Sequence, residues 1–316
     1  MIRYLDHHEI DMEKWDACID KAPNGIFYAY SWYLDMMARP WGGLVEGDYL
    51  AVMPLPYRKK LGMHYVYQPA FVQQLGIFST HSVAEDLTRR FISSIPGLFR
   101  YADIPMNTFN KVPSMEGVVQ EKRITYELDL IPSYDDIKKR YSENALRNLK
   151  KSDNRGVFVA AHGRPEEVIA AFRSRRKRDP FSEKEYMALK HLIYSGMHKG
   201  QVALYSAYSD KNSFCGGIVF YRSHHKVVFL FSGSVPEARQ NGAMFKLVDA
   251  FIRDHAGREL VLDFEGSSDP NLARFYRGFG SKECVFLQLR INRMPGMLKP
   301  ISDAYLWLRK RMAGKG

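Results

Sequence analysis

Between residues 201 and 291 the sequence reads as three strands in succession, then helix, strand, helix and strand. The three strands are expected at 201–208, 214–221 and 226–231. In the helix that follows, Met244, Leu247, Val248 and Phe251 recur at helical spacing. A strand opening at Val261, a helix carrying Tyr276 and a last strand over 283–291 complete the series. Successive antiparallel strands need only hairpins, whereas strand, helix and strand make a crossover, so one strand pair here must be parallel. That order confines the segment to an α+β sheet.

The earlier part of the chain has a similar plan. A strand at 2–5 leads to a helix from Asp11, with Met12, Trp15, Ala17, Cys18 and Ile19 as its apolar stripe. The turn Pro23-Asn24-Gly25 precedes a second, aromatic-rich helix over 27–34. Antiparallel strands are expected at 44–46, 49–57 and 64–67, then a helix at 83–95 and strands at 99–104 and 123–130. Ile131-Pro132-Ser133 marks the best boundary, since proline and a cap residue separate strand from helix. Past it come helices at 134–141 and 145–152, a strand at 157–161, and helices at 165–175 and 182–199. Both halves therefore run helix, helix, antiparallel strands. The expectation is two α+β domains, 1–131 and 132–316, the second ending in a basic tail helix around Ile301, Ala304, Tyr305 and Leu308.

A chain of 316 residues with 46% hydrophobic and 13% aromatic content has material for a sizeable core. The N-terminus lacks the apolar stretch of a signal peptide, and no apolar run approaches the roughly 20 residues of a membrane span. Cys18, Cys215 and Cys284 have neither disulfide nor zinc-site spacing, so a cytoplasmic protein with buried thiols and no metal is expected. The net charge of +11 is concentrated at Arg58-Lys59-Lys60, Arg147 to Arg155, Arg173 to Arg178 and the tail. Such a surface suits phosphate-bearing partners: a nucleotide cofactor, RNA, or an anionic membrane surface. Solubility alone is the competing account.

The chemistry concentrates in Val261-Leu262-Asp263-Phe264-Glu265-Gly266-Ser267-Ser268 and the helix after it. A strand here would turn Val261, Asp263 and Glu265 to one face and Leu262 and Phe264 to the other. Leu272, Phe275, Tyr276 and Phe279 follow the spacing of one helix face. Two carboxylates and a phenol thus come near a glycine-bounded opening. An amine must be neutral to attack a carbonyl, and Glu265 or Asp263 can take its proton; a phenol can protonate a departing anion. The structural alternative is a solvated Glu265, an Asp263 that braces a loop, and a Tyr276 that belongs to the core.

With these residues in this order, the chain resembles the GNAT acyltransferase superfamily, and within it the tandem-domain FemAB-like branch. Asp263-Phe264-x-Gly266 is similar to that branch's Asp-Phe-x-Gly segment, and Tyr276 with Gly280 fits the Tyr-x-x-x-Gly of the cofactor helix. Arg239-Gln240-Asn241-Gly242-Ala243-Met244 resembles the loop that holds the coenzyme A pyrophosphate, although Met244 stands where glycine or alanine is usual. The resemblance implies an N-acyltransferase that moves an acyl or aminoacyl group to a small-molecule or peptide amine. Its donor would be acyl-CoA or aminoacyl-tRNA. Catalysis would fall to Tyr276, Glu265 and Asp263, and the donor to Ser232, Gly233, Arg239, Asn241, Gly242 and Ala243. The acceptor, which in that branch lies between the domains, would meet Gln68, Gln73 and Gln74; amides that satisfy irregular backbone explain those glutamines equally. The basic helix from Asn144 to Arg155 also resembles the one opening the branch's second domain, and RNA is one partner for it. A scaffold that retains the fold without catalysis, and an RNA-binding module, are the rival readings.

Overall fold

The computed structural model describes residues 1–60, 62–175, 179, 181–266 and 269–294. It divides into two compact units: Met1–Arg123 with the strand from Val285 onward, and Ile124–Cys284.

The first unit contains β1 (Ile2–Leu5), α1 (Met12–Lys21), α2 (Ser31–Met37), β2 (Trp41–Glu46), β3 (Ala51–Lys60), β4 (Met63–Val66), β5 (Phe78–Ser79), α3 (Glu85–Ser93), β6 (Phe99–Pro105) and the first half of β7 (Val118–Asp129). Asp11 caps α1 by accepting from the Lys14 amide, and Trp15, Cys18 and Ile19 form its buried stripe. The expected single helix over 27–34 is broken at the extended Tyr30, with a 3-10 turn before it and α2 after it. The Asp16 carboxylate accepts from both the amide and the hydroxyl of Ser31, which ties the start of α2 to α1. Strand β3 is buried over its first six residues and ends in exposed Arg58, Lys59 and Lys60. Strands β1, β2, β3 and β4 pair antiparallel in that order, and β4 pairs parallel with β6 after the α3 crossover.

The far edge of β6 is taken by the C-terminal strand. Gln288 faces Pro105 and Asn292 faces Tyr101 in an antiparallel ladder, and Leu289 and Ile291 join the core of Leu44, Met53, Leu55, Phe91 and Ile104. Residues 285–292 therefore belong with the first unit, not with the stretch expected as a C-terminal domain over 132–316. The division at Arg123/Ile124 falls a few residues before the expected boundary. A strand recruited from the far end of the chain leaves no local signal at a boundary. The expected tail helix lies outside the described residues.

The second unit contains the rest of β7, α4 (Tyr134–Lys138), α5 (Glu143–Asn154), β8 (Phe158–Ala161), α6 (Pro165–Ser174), α7 (Glu183–His198), β9 (Val202–Tyr208), β10 (Phe214–Ser223), β11 (Lys226–Ser234), α8 (Ala238–Asn241), α9 (Ala243–His255), β12 (Val261–Asp263), α10 (Pro270–Arg277) and the start of β13 (Lys282–Asn292). Its sheet runs β7-β12-β11-β10-β9-β8, antiparallel save for β11 with β12. This is the parallel pair that the element order required. Each unit thus repeats one scheme, three antiparallel strands and then a helical crossover to a parallel neighbour.

Helix α9 buries Leu247, Val248, Phe251 and Ile252 on one side of the sheet, with Phe251 stacked on Phe220 at 3.8 Å. Helix α6 lies against β10 and β11, where glycines admit it. A Cβ on Gly233 would run into the Val168 carbonyl, and one on Gly217 into the Val168 side chain. In α10 the buried side chains are Ala273 and Tyr276, whereas Leu272, expected on the same face, is 43% exposed.

Candidate active site

The site forms where β11 and β12 separate. Their parallel pairing covers only Lys226↔Val261, Val227↔Leu262 and Val228↔Asp263. Beyond that point β11 continues to Ser234, while β12 stops and its chain turns into the loop before α10. From Phe229 on, β11 therefore has no strand partner on the β12 side among the described residues. On its other edge the ladder with β10 shifts register between Val219 and Phe220, opposite Leu230, a bulge at the same level.

Aromatic rings line the inner end of this opening. Tyr276 stacks on Phe264 at 5.0 Å and 27°, and its ring lies 6.0 Å from Phe229 and 5.9 Å from Tyr126. The residue is 7% exposed, and among the described residues its hydroxyl makes no hydrogen bond. Burial, and then the charges of Glu265 and Asp269, raise its pKa well above the ordinary phenol range. Tyr276 is accordingly a neutral proton donor at physiological pH.

Asp263 is held differently. It is buried, Oδ1 accepts from the Thr125 hydroxyl and from the Glu265 amide at 2.9 Å, and Oδ2 meets Lys226 Nζ at 3.2 Å. Lys226 also reaches Glu127 Oε1 at 2.6 Å, and Glu127 Oε2 accepts from Cys284 Sγ at 3.5 Å. Burial works against the Lys226 charge, but the neighbouring Asp263 and Glu127 outweigh it and raise the ammonium pKa. Burial, with Glu127 nearby, pushes the Cys284 thiol up to about 11. With both oxygens engaged, Asp263 serves this geometry as a brace between β7, β11 and the loop.

What it braces is Glu265. The expected strand alternation ends at Asp263, and Glu265 adopts a left-handed backbone with φ 58°. For a residue with a Cβ that conformation costs about 1–2 kcal/mol, and the Asp263–Glu265 hydrogen bond helps to hold it. Glu265 is half-buried beside Tyr276, near enough for its charge to act on the phenol.

The expected phosphate loop is less open than its sequence suggests. Gly242 is left-handed, φ 74°, and a Cβ there would run into the Asn148 carbonyl of α5. The glycine is thus used for close contact with a neighbouring helix. The Ala243 amide is capped from within by Asn241 Oδ1 at 3.0 Å, and Asn241 Nδ2 donates to Cys215 Sγ at 3.2 Å. Ser232 is half-buried on β11, and Gly233 is covered by α6. Arg239 is exposed on α8.

Gln68, Gln73 and Gln74 lie in the first unit on irregular chain after β4. Gln68 Nε2 donates to the Val72 carbonyl at 2.7 Å, Gln74 Nε2 to Gln73 Oε1 at 3.2 Å, and Gln74 Oε1 accepts from the Thr108 amide at 3.3 Å. Asn107 Nδ2 bonds the Leu75 carbonyl and Asn110 Nδ2 the Ile77 carbonyl, each also from buried side chains. These amides satisfy loop backbone. Sequence reasoning did not single out Thr125, Glu127 and Lys226. The one available signal was a lysine opening a run of apolar strand residues. Among the described residues no group of three or more His, Cys, Asp or Glu is arranged to hold a metal ion.

Residues 138–270 match the family model described as an acetyltransferase (GNAT) domain, which takes in Ser232 through Glu265 and ends before Tyr276. Similar solved structures include FemX (TM-score 0.59, 12% identity, covering 90% of this chain and 96% of that one). Another is the C-terminal domain of a putative lysylphosphatidylglycerol synthetase from Agrobacterium fabrum (0.56, 11%, 96% of each). A third is a tandem GNAT protein from the clavulanic acid biosynthesis pathway (0.50, 12%, 94% and 100%). No curated protein sequence matches the chain. Fold and domain together make this a member of the GNAT superfamily. Within it the chain has the tandem, FemAB-like architecture.

Proposed function

We propose that the second unit transfers an acyl or aminoacyl group from an activated donor to an amine, with the reacting carbonyl lodged where β11 and β12 part. The observation that carries this reading is the end of strand pairing at Val228↔Asp263 with Tyr276 and Glu265 beside the gap. Backbone amides of β11 without a strand partner can stabilise the oxyanion that forms when the amine attacks. Glu265 takes the proton that the amine loses. Tyr276 gives a proton to the atom that leaves. Asp263, Thr125 and Lys226 act by holding Glu265 in place.

The donor we favour is aminoacyl-tRNA. A phenol whose pKa is raised is a weak acid, better matched to a sugar alkoxide than to a thiolate, which is a far weaker base. The Gly242 loop is backed by α5, and one of its amides is already capped, which weakens the case for a tightly held pyrophosphate. One similar structure is named for lysylphosphatidylglycerol synthesis and another with reference to AcCoA, so the fold alone accommodates either donor. The acceptor is an amine, small or peptidic, and its recognition is not assigned to Gln68, Gln73 or Gln74.

Titration calorimetry against acetyl-CoA and against a stable aminoacyl-RNA minihelix separates the donors. Tighter binding of the aminoacyl-RNA is expected. Tighter binding of acetyl-CoA reverses the donor assignment, and no binding of either leaves a scaffold. RNA binding that ignores the aminoacyl group, with steep salt dependence, favours the RNA-binding module.

A further inference from the structure

Two arginines stand at the far end of β11 without carboxylate partners. Arg175, at the C-terminus of α6, donates from Nη1 to Ser234 Oγ at 2.9 Å. Its place is fixed by packing, because Gly233 and Gly217 bring α6 down onto the strands so that the helix ends over Ser234. Arg239 lies five residues past Ser234, on α8, and its charge is felt at Arg175, whose pKa is lowered by burial and then by Arg239. Both side chains are exposed, and neither forms an ion pair among the described residues. Arg173, one turn fragment away, is the contrast: it pairs with Glu183, lies near Asp179 and covers the Tyr186 ring.

Guanidinium groups brought together without a carboxylate make a ready fork for a phosphate, which can accept from both at once. We propose that Arg175 and Arg239 form a phosphate subsite that holds the nucleotide carrier of the donor, in place of the backbone cradle closed by α5. The subsite rests on the transfer reading above, for it lies at the end of the strand that lines the gap. It adds Arg175, which belongs to no recognised phosphate loop. Helix α5, packed against α8, carries exposed Arg147, Lys150, Lys151 and Arg155 without ion pairs among the described residues. An extended polyanion can follow such a surface, which favours RNA as the source of the phosphate.

The experiment measures binding of two probes, coenzyme A and an uncharged RNA minihelix with a single-stranded CCA end, over a range of salt concentrations. Proteins are the wild type, Arg175→Gln, Arg239→Gln, the double variant and Arg173→Gln as control, each checked for an unchanged melting temperature. Each subsite substitution should weaken binding of the recognised probe about tenfold, the loss of one charge-assisted contact. It should also lower the salt slope by roughly one phosphate equivalent. Arg173→Gln should bind as wild type. Loss confined to the minihelix identifies RNA as the source, and loss confined to coenzyme A identifies the thioester carrier. Wild-type affinity and slope in the double variant overturn the subsite while the transfer reading stands. Failure of the wild type to bind either probe overturns both.

Discussion

Tyr276 shows how one side chain can be core and chemistry together. Its ring is buried among Phe264, Tyr126 and Phe229, so truncating it would damage packing. Tyr276→Phe keeps the ring and removes only a hydroxyl that has no partner among the described residues. Stability should change by less than about 1 kcal/mol, while transfer falls roughly 10²-fold or more. Unchanged turnover in this variant would return Tyr276 to the core. Lys226 makes the opposite prediction. Lys226→Met leaves Asp263 and Glu127 without their cation and should cost about 3 kcal/mol in chemical denaturation at neutral pH. Because folding raises the Lys226 pKa, its contribution is complete below the ordinary lysine value of about 10.4 and is lost as pH rises through the higher folded value. The gap between wild type and variant should therefore stay constant through neutral pH and narrow in strong alkali. A gap that closes near neutrality would contradict the brace. Tyr276 and Glu265 could be found in the sequence because the residues that frame them are neighbours. The partners of Asp263 could not, since Thr125 lies 138 positions away and Lys226 37.

Elements were legible wherever hydrophobic period set them. Strands β9 to β13 and helix α9 fall close to where alternation and helical spacing put them, and the parallel pair follows from their order. The misjudged elements are those fixed by a contact. Strand β12 ends at Asp263 because its side chain turns back to bond the Glu265 amide, and α2 starts at Ser31 through Asp16. The Gly242 loop is the sharpest case, as a glycine that reads as a phosphate cradle is occupied by helix packing. Gly242→Ala should lose about 1–2 kcal/mol from backbone conformation alone, with more from the clash with Asn148, in the absence of any ligand. A variant as stable as wild type but weak for donor would show instead that the glycine is kept for phosphate.

At the scale of the whole molecule the first unit is discontinuous, since β6 is completed by residues 285–292. Leu289 and Ile291 are buried in its core, and each contributes about 1.5–3 kcal/mol by burial. A fragment of residues 1–131 should therefore fail to melt cooperatively, whereas the same fragment fused through a flexible linker to residues 282–294 should recover a transition. Cooperative unfolding of 1–131 alone would restore the simpler division at Pro132. The repeated scheme was legible because each half spells out its own strands and crossover. The exchange of the last strand was not, because its partner lies at the other end of the sequence.

The central claim is that the gap between β11 and β12 moves an activated acyl group onto an amine, and labelled donor tests it most directly. A pool of tRNA charged with radiolabelled amino acids, and separately labelled acetyl-CoA, is incubated with the protein and a mixture of amine-bearing small molecules and peptides. The account predicts protein-dependent transfer of label from the charged tRNA into amide products, falling about 10²-fold in Tyr276→Phe and in Glu265→Gln at unchanged folding. Label that leaves neither donor faster than in protein-free controls, or transfer that both variants support at the wild-type rate, would contradict it.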